Sequence, residues 1–404
     1  MAPLRVLPGT PLGGYGAAAR RLLVPDLFGR YPHAFWFKPH QGELDPPSAR
    51  ALVIESGRER LVWVAADLVA VDRAFTARVE RHLEQAGLEG ATLILSASHT
   101  HSGPGAYLDS MVMGALAVDR DDPAVRGALV DGVLEVIRRA AAARASARVG
   151  VLRLTAPPLT RGRLGQAPDD ELVVMKFVRE RGAPLAVLWN YAIHGTMLSP
   201  RNLSLSGDVM GMASRQLERD LGVPALFVNG AVGDVSPERH GHAEARAAAR
   251  ELATAVRGAW RRISPERHAS LSVGSTRVPL PAPRLAVRSC AGGIVPRWLV
   301  LPLDGLLPRD AELVAGALGD TAWVTMPGEL QSSLGRIIKQ GATPPWQQAF
   351  VAGLSNDYLG YFLTPADYGR VTYVACASVY GPETGDRLTA AAVTLLKSLR
   401  RSEP

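Results

Sequence analysis

Residues 92–107 read TLILSASHTHSGPGAY. The apolar, β-prone start predicts a strand over 92–98. It breaks into His99, Thr100 and His101, and then into Ser102, Gly103, Pro104 and Gly105, which are loop-forming residues. Along an extended segment residues i and i+2 face the same way, so His99 and His101 can address one centre. The chain has nine histidines, and two of them stand one residue apart at the end of a strand. In α/β proteins function gathers beyond strand ends, so this stretch predicts both an architecture and a place to look within it.

Working outward, ALVIESGRERLVWVAADLVA (51–70) reads as two β-rich runs about a short polar turn, a hairpin. Asp72 is placed to cap a helix through DRAFTARVERHLEQAGL. Beyond the histidines, Val125, Leu129, Val133 and Ile137 recur at fours and predict a helix over 123–145. Residues 172–195 give two strands about a Gly-Ala-Pro turn, the second running into His194. A helix over 209–220, the strand PALFVNG, the loop AVGDVSP and a helix over 242–263 follow. TAWVTMPGEL is a strand that breaks at Pro327 and Gly328 into a helix, and FVAGLSNDY is a further strand with a polar end. The alternation predicts an α/β protein of mixed β-sheets flanked by helices. Residues 279–310 are the most loop-like stretch. No internal repeat or linker is visible, so 1–404 is read as a single large domain.

Composition narrows the function. Of 404 residues, 47% are hydrophobic and 21% charged, as in an ordinary folded protein. The formal charge is +7, but arginines are spread along the chain without stacking aromatics, so nucleic-acid binding is not expected. Cys290 and Cys376 form no CxxC or Cys-His pattern; neither a disulfide nor a thiolate metal site is expected, and both are read as small buried apolar residues. The first residues, MAPLRVLPGTPLGGYG, break at Pro and Gly before a secretion signal could form, and no run of about 18 apolar residues occurs. A cytoplasmic protein without a transmembrane segment is expected, or a secreted one if a leader was removed.

Histidine is the commonest metal ligand, and nitrogen plus carboxylate donors without thiolates suit a catalytic rather than a structural zinc site. His-x-His at a strand end could also serve as a general-base pair or an anion site, with metal ligation the preferred reading. His194 has the same placement and could alternatively be a core histidine. Glu329 could ligate a metal or sit in a helix's first turn for its dipole. Ser236, in NGAVGDVSPERHG, lacks the Gly-x-Ser-x-Gly nucleophile pattern, and Asp234 and Ser236 could bond their own backbone as turn residues.

Taken in order, PLGGYG (11–16), LDPPSARALVIE with VAADL, SASHTHSGPG, NYAIHGT, SGDVMG (206–211), FVNGAVGDVSP, PGEL (327–330), AGLSNDYLGY and ASVYGPETG (377–385) resemble blocks of the neutral, non-lysosomal ceramidases. The resemblance implies a zinc amidase that cleaves the N-acyl bond of ceramide or of a related small N-acyl amide with a zinc-activated water. Carried over by position, it makes His99, His194, Glu329 and Tyr361 the ligands of one zinc ion, Tyr361 being preferred to Tyr358. It makes His101, Ser236, Tyr373 and Arg163 active-site residues, Arg163 being preferred to Arg161. His101 would carry protons, Tyr373 and Arg163 would stabilise the oxyanion, and Ser236 would hold the substrate. A lipid substrate implies transient contact with a membrane surface. The chain departs from the family at Glu238, where Asn is usual, and is expected to lack the family's C-terminal immunoglobulin-like domain. Two other readings stand beside this one: a serine esterase using Ser236, and a non-catalytic binding relative of the same fold.

Overall fold

The computed structural model describes residues 1–266, 269–292, 294–296 and 298–399. Among these, three four-stranded sheets carry the fold. In the first, β1 (Ser48–Ser56) and β2 (Glu59–Ala66) are the expected hairpin, β2 runs parallel to β3 (Thr92–Ala97), and Ala2–Pro3 extends the β1 edge. The second is β4 (Ala147–Thr155), β5 (Glu171–Arg179), β6 (Pro184–Tyr191) and β7 (Ala225–Asn229), antiparallel until β7, which runs parallel to β6. The third repeats that plan with β8 (Leu271–Pro279), β9 (Asp310–Leu318), β10 (Thr321–Met326) and β11 (Gln348–Gly353), the last pair parallel.

Helices flank the sheets in chain order: α1 (Arg73–Glu80) and α2 (Pro123–Ala142), α3 (Asp208–Leu221) and α4 (His242–Arg262), α5 (Ser332–Gly341) and α6 (Thr384–Ser398). Parallel neighbours require a crossover connection, and α1, α3 and α5 supply one to each sheet. Asp72 does cap α1, its carboxylate accepting from the Phe75 N–H, but α1 stops at Glu80, short of the helix expected through Leu88. The three sheets thus share a plan that leaves no trace as a sequence repeat.

Strand alternation explains the packing. On β2, Val62, Val64 and Ala66 face the cluster shared with α1 and α2, whereas Leu61, Trp63 and Ala65 face a core common to all three sheets. Trp63 lies 5.2 Å from Trp323 of the third sheet and 6.1 Å from Phe350, ring centroid to ring centroid. The second and third sheets bury their opposite faces under α3 with α4 and α5 with α6. Every sheet is therefore covered on both faces, and strand ends are where polar groups collect.

Three expectations are corrected. Cys290 and Cys376, 86 residues apart, form a disulfide, and Cys290 is exposed rather than buried. The fold packs the short helix Val287–Ala291 against Tyr373–Cys376, a proximity that sequence separation does not encode. Glu329 is not in a helix's first turn: Glu329–Leu330 pairs in parallel with Tyr361–Phe362, and α5 begins only at Ser332. Asp234 does not bond its own turn; its carboxylate accepts from the Ser332 N–H at the start of α5. The described residues between 279 and 310 hold the short strands Arg284–Ala286 and Val300–Pro302 and the short helix Val287–Ala291. No described helix is long and apolar enough to cross a membrane.

Candidate metal centre and active site

Each sheet contributes one buried donor just past its parallel pair. His99 follows the end of β3, His194 the end of β6 and Glu329 the end of β10, and all three are at most 2% exposed. They converge. His99 Nε2 lies 3.1 Å from His194 Nε2 and 3.3 Å from Glu329 Oε1, and His194 Nε2 lies 3.8 Å from Glu329 Oε2. His101 Nε2 is 3.5 Å from His99 Nε2. The donor atoms of His99, His101 and His194 all fall within 4.8 Å of one another.

The backbone is bent to achieve this. His99 has φ 70°, a left-handed conformation that costs energy for a residue with a side chain and is concentrated at functional sites. Its Nδ1 donates to the Val69 carbonyl at 2.6 Å, which turns Nε2 toward the cluster. Thr100 bridges in parallel to Gly195, and the His101 N–H donates to the Gly195 carbonyl at 2.9 Å. That approach needs glycine, because a Cβ on Gly195 would lie 2.3 Å from the His99 carbonyl oxygen. Gly14, at φ +109°, likewise presses on His101; a Cβ there would meet the imidazole Cγ at 2.6 Å. Tyr15 then sets its ring edge-on to His101 at 4.7 Å, and Arg20 donates to the His101 carbonyl at 3.1 Å.

Electrostatics follow from burial. Desolvation, then the Arg163 charge and the neighbouring imidazoles, holds His194 well below the ordinary histidine range. Desolvation, His99, Arg163 and Arg20 do the same to His101. Burial and the Glu329 carboxylate push Tyr358 and Tyr361 well above the ordinary phenol range. Burial thus favours the neutral form of His101 and His194, the form that ligates metals.

The donor set fits a zinc ion. Glu329 Oε2 is buried without a hydrogen-bond partner, an expensive state for a carboxylate oxygen unless a cation faces it. Imidazole and carboxylate donors without thiolates are the chemistry of a catalytic zinc site. His99, His101, His194 and Glu329 could hold the ion.

A cavity of about 520 Å³ opens over the cluster, lined by His101, His194, Tyr15, Arg163, Tyr361 and Tyr373 among others. Arg163 reaches it because residues 160–162 pair with 235–237, and its Nε donates to Ser236 Oγ at 2.7 Å. Arg161, the other candidate, turns to solvent beside Glu238, 3.9 Å away. Tyr361 and Tyr373 stand edge to face at 5.9 Å. Tyr373 is 71% exposed at the cavity's rim, on the four-residue helix that ends in Cys376. Tyr358 faces Glu329 from the other side, donating to Oε1 at 2.7 Å. All eight candidate residues are thus brought to one place. Gly14, Tyr15 and Arg20 were missed, although the glycine-rich PLGGYG block was the available signal.

A three-sheet α/β frame thus gathers three histidines and a carboxylate, an arrangement that could hold a metal ion, under a cavity lined by Arg163 and three tyrosines. Residues 45–253, just over half of the chain, match the model of the family described as neutral/alkaline non-lysosomal ceramidase, N-terminal, and the chain belongs to that family. It is similar to the neutral ceramidase of Pseudomonas aeruginosa, 31% identical over 213 residues, which are 47% of this chain and 31% of that protein. With the neutral ceramidase of Mycobacterium tuberculosis it shares 28% identity over 217 residues, 46% of this chain and 33% of the relative. The aligned stretch thus spans about a third of the length of these relatives. The crystal structure of the Pseudomonas aeruginosa neutral ceramidase superposes with a TM-score of 0.82 at 20% identity, covering 99% of this chain and 74% of that one. A structure titled as a ceramidase complexed with C2 gives 0.78 at 19% identity, covering 98% and 73%. At those identities the likeness establishes the fold.

Proposed function

We propose that the protein is a zinc-dependent amidohydrolase that cleaves the N-acyl amide bond of ceramide or of a related N-acylated small molecule. The observation that carries this reading is the convergence of His99, His194 and Glu329 from three separate sheets beneath a cavity that also presents Arg163 and Tyr373. Family membership supports the amide chemistry. When bound, zinc would polarise the amide carbonyl and bring the pKa of water toward ~7.

The chain's own residues supply the rest. His101, held neutral by burial, accepts a proton from the attacking water and returns it to the leaving nitrogen. The Arg163 guanidinium and the Tyr373 hydroxyl donate to the oxygen on which charge develops. Ser236, whose Oγ already accepts a hydrogen bond from Arg163, orients that guanidinium and the substrate. Arg163 is the side chain that the Ser236 hydroxyl meets, with no base paired to it among the described residues, whereas a serine nucleophile needs a base to take its proton. The mixed lining of the cavity suits a substrate with one polar amide and an apolar chain, a small N-acyl amide or a lipid reached by transient contact with a membrane surface. Disulfides persist mainly in oxidising compartments, so the Cys290–Cys376 bond supports placing the working protein there rather than in the cytoplasm.

The test pairs metal analysis of purified protein with hydrolysis of a panel of ceramides and short N-acyl amides, with and without a chelator. About one zinc per chain and chelator-sensitive amide hydrolysis are expected. Full activity in His99→Ala, unaffected by chelator, would remove the proposal.

A further inference from the structure

A carboxylate offers two oxygens and rotates freely unless something holds it, and in this site something does. We propose that Tyr358 is a positioning residue that fixes the Glu329 carboxylate for the metal, an inference that rests on the zinc reading above. Tyr358 Oη donates to Glu329 Oε1 at 2.7 Å, while Oε2 is buried, lacks a hydrogen-bond partner and faces His194 Nε2 at 3.8 Å. With Oε1 held by the hydroxyl, the carboxylate plane is fixed so that Oε1 also lies 3.3 Å from His99 Nε2 and Oε2 faces His194.

Tyr358 does not act from the cavity, whose tyrosines are Tyr15, Tyr361 and Tyr373. Its ring packs instead against the hydrophobic cluster of the first sheet. The backbone around it is tied down. Asp357 Oδ1 accepts from the Tyr358 N–H at 2.9 Å and from the Arg73 N–H at 3.1 Å, and Arg73 Nε donates to Asp357 Oδ2 at 3.1 Å. Arg73 opens α1, the crossover of the first sheet. The Leu359 N–H donates to the Pro327 carbonyl at 2.9 Å, two residues before Glu329. A chain of contacts from the first sheet therefore aims a carboxylate that belongs to the third. Groups that orient a ligand from outside the coordination sphere typically change metal affinity by about 10- to 100-fold.

The experiment measures zinc affinity by competition with a chromophoric chelator, and the visible spectrum of the cobalt-loaded protein, for wild type and Tyr358→Phe. Phenylalanine keeps the ring and its packing and deletes the hydroxyl alone. Affinity is expected to fall by about 10- to 100-fold with an altered cobalt spectrum. In a Glu329→Ala background the same substitution is expected to change the residual affinity by less than about twofold, because the acceptor of the hydroxyl has gone. Equal losses in both backgrounds would mean a general structural role and would overturn the inference, as would Y358F affinity within about twofold of wild type. Should wild type bind no zinc at all, the metal reading itself falls, which separates that failure from this one.

Discussion

The Nε of Arg163 donates to Oγ of Ser236 over 2.7 Å, joining residues 73 positions apart in the chain. A small antiparallel pair sets Arg161 opposite Ser236; Arg163 lies just past its end at Gly162, where the chain leaves the pair, and lines the cavity. Arg163→Ala should therefore lower kcat/KM on the best amide substrate by about 10²- to 10³-fold, the usual loss for an oxyanion donor. Arg161→Ala, whose side chain is 61% exposed, should stay within about threefold. Equal losses would mean that the guanidinium acts through overall charge.

Ser236→Ala separates substrate positioning from covalent catalysis. An expected loss of about 10- to 100-fold fits a lost hydrogen bond, whereas loss of a nucleophile typically exceeds about 10⁴-fold. Steady-state rates and the absence of an acyl-enzyme mass adduct check this.

Gly14→Ala would force a Cβ to within 2.6 Å of the His101 ring at a backbone angle of +109°. His101 must move, and kcat should fall by about 10²-fold or more, the contribution of a positioned proton carrier. Zinc content should stay near that of wild type. A parallel loss of zinc would instead make His101 a ligand, which its 3.5 Å approach to His99 Nε2 also allows.

Acid should unfold the metal-free protein through the same histidine. Burial holds folded His101 well below its ordinary range, while in the unfolded chain it titrates near ~6.5. Below that value the unfolded state binds the proton and the folded state does not, so stability is present above pH ~6.5 and is lost as pH falls. The slope is up to about 1.4 kcal/mol per pH unit for one such group. Chelator-treated His101→Gln should therefore show a shallower fall of Tm between pH ~6.5 and ~5 than chelator-treated wild type, as read by calorimetry.

How far the sequence carried these conclusions differed by residue. His99, His101 and His194 were legible because apolar strands end abruptly in polar residues, and the sheets place those ends together. Glu329 was legible only through resemblance, since PGEL reads equally well as a helix start; its short pairing with Tyr361–Phe362 depends on a contact that local pattern does not encode. Resemblance put Tyr361 at the metal and left Tyr358 as the rejected alternative, yet it is the Tyr358 hydroxyl that bonds Glu329, from the core, while Tyr361 stands opposite Glu329 in a backbone pair. Gly14 and Gly195 were invisible as site residues because what they provide is the absence of a Cβ. The disulfide was missed for a related reason: two cysteines 86 residues apart acquire a relationship only through tertiary packing.

The plan of three sheets, each lending one donor, separates kinship from competence. The stretch that identifies the family ends at residue 253, within α4, and so takes in the first two sheets and stops before the third. It holds His99, His101, Arg163, His194 and Ser236, while Glu329, Tyr361 and Tyr373 all lie beyond it. A chain cut there would still be recognised as a relative and would have imidazoles but no carboxylate to set against them. On the zinc reading, the donor set of this chain is therefore completed only by residues after 253, outside the stretch that matches the family.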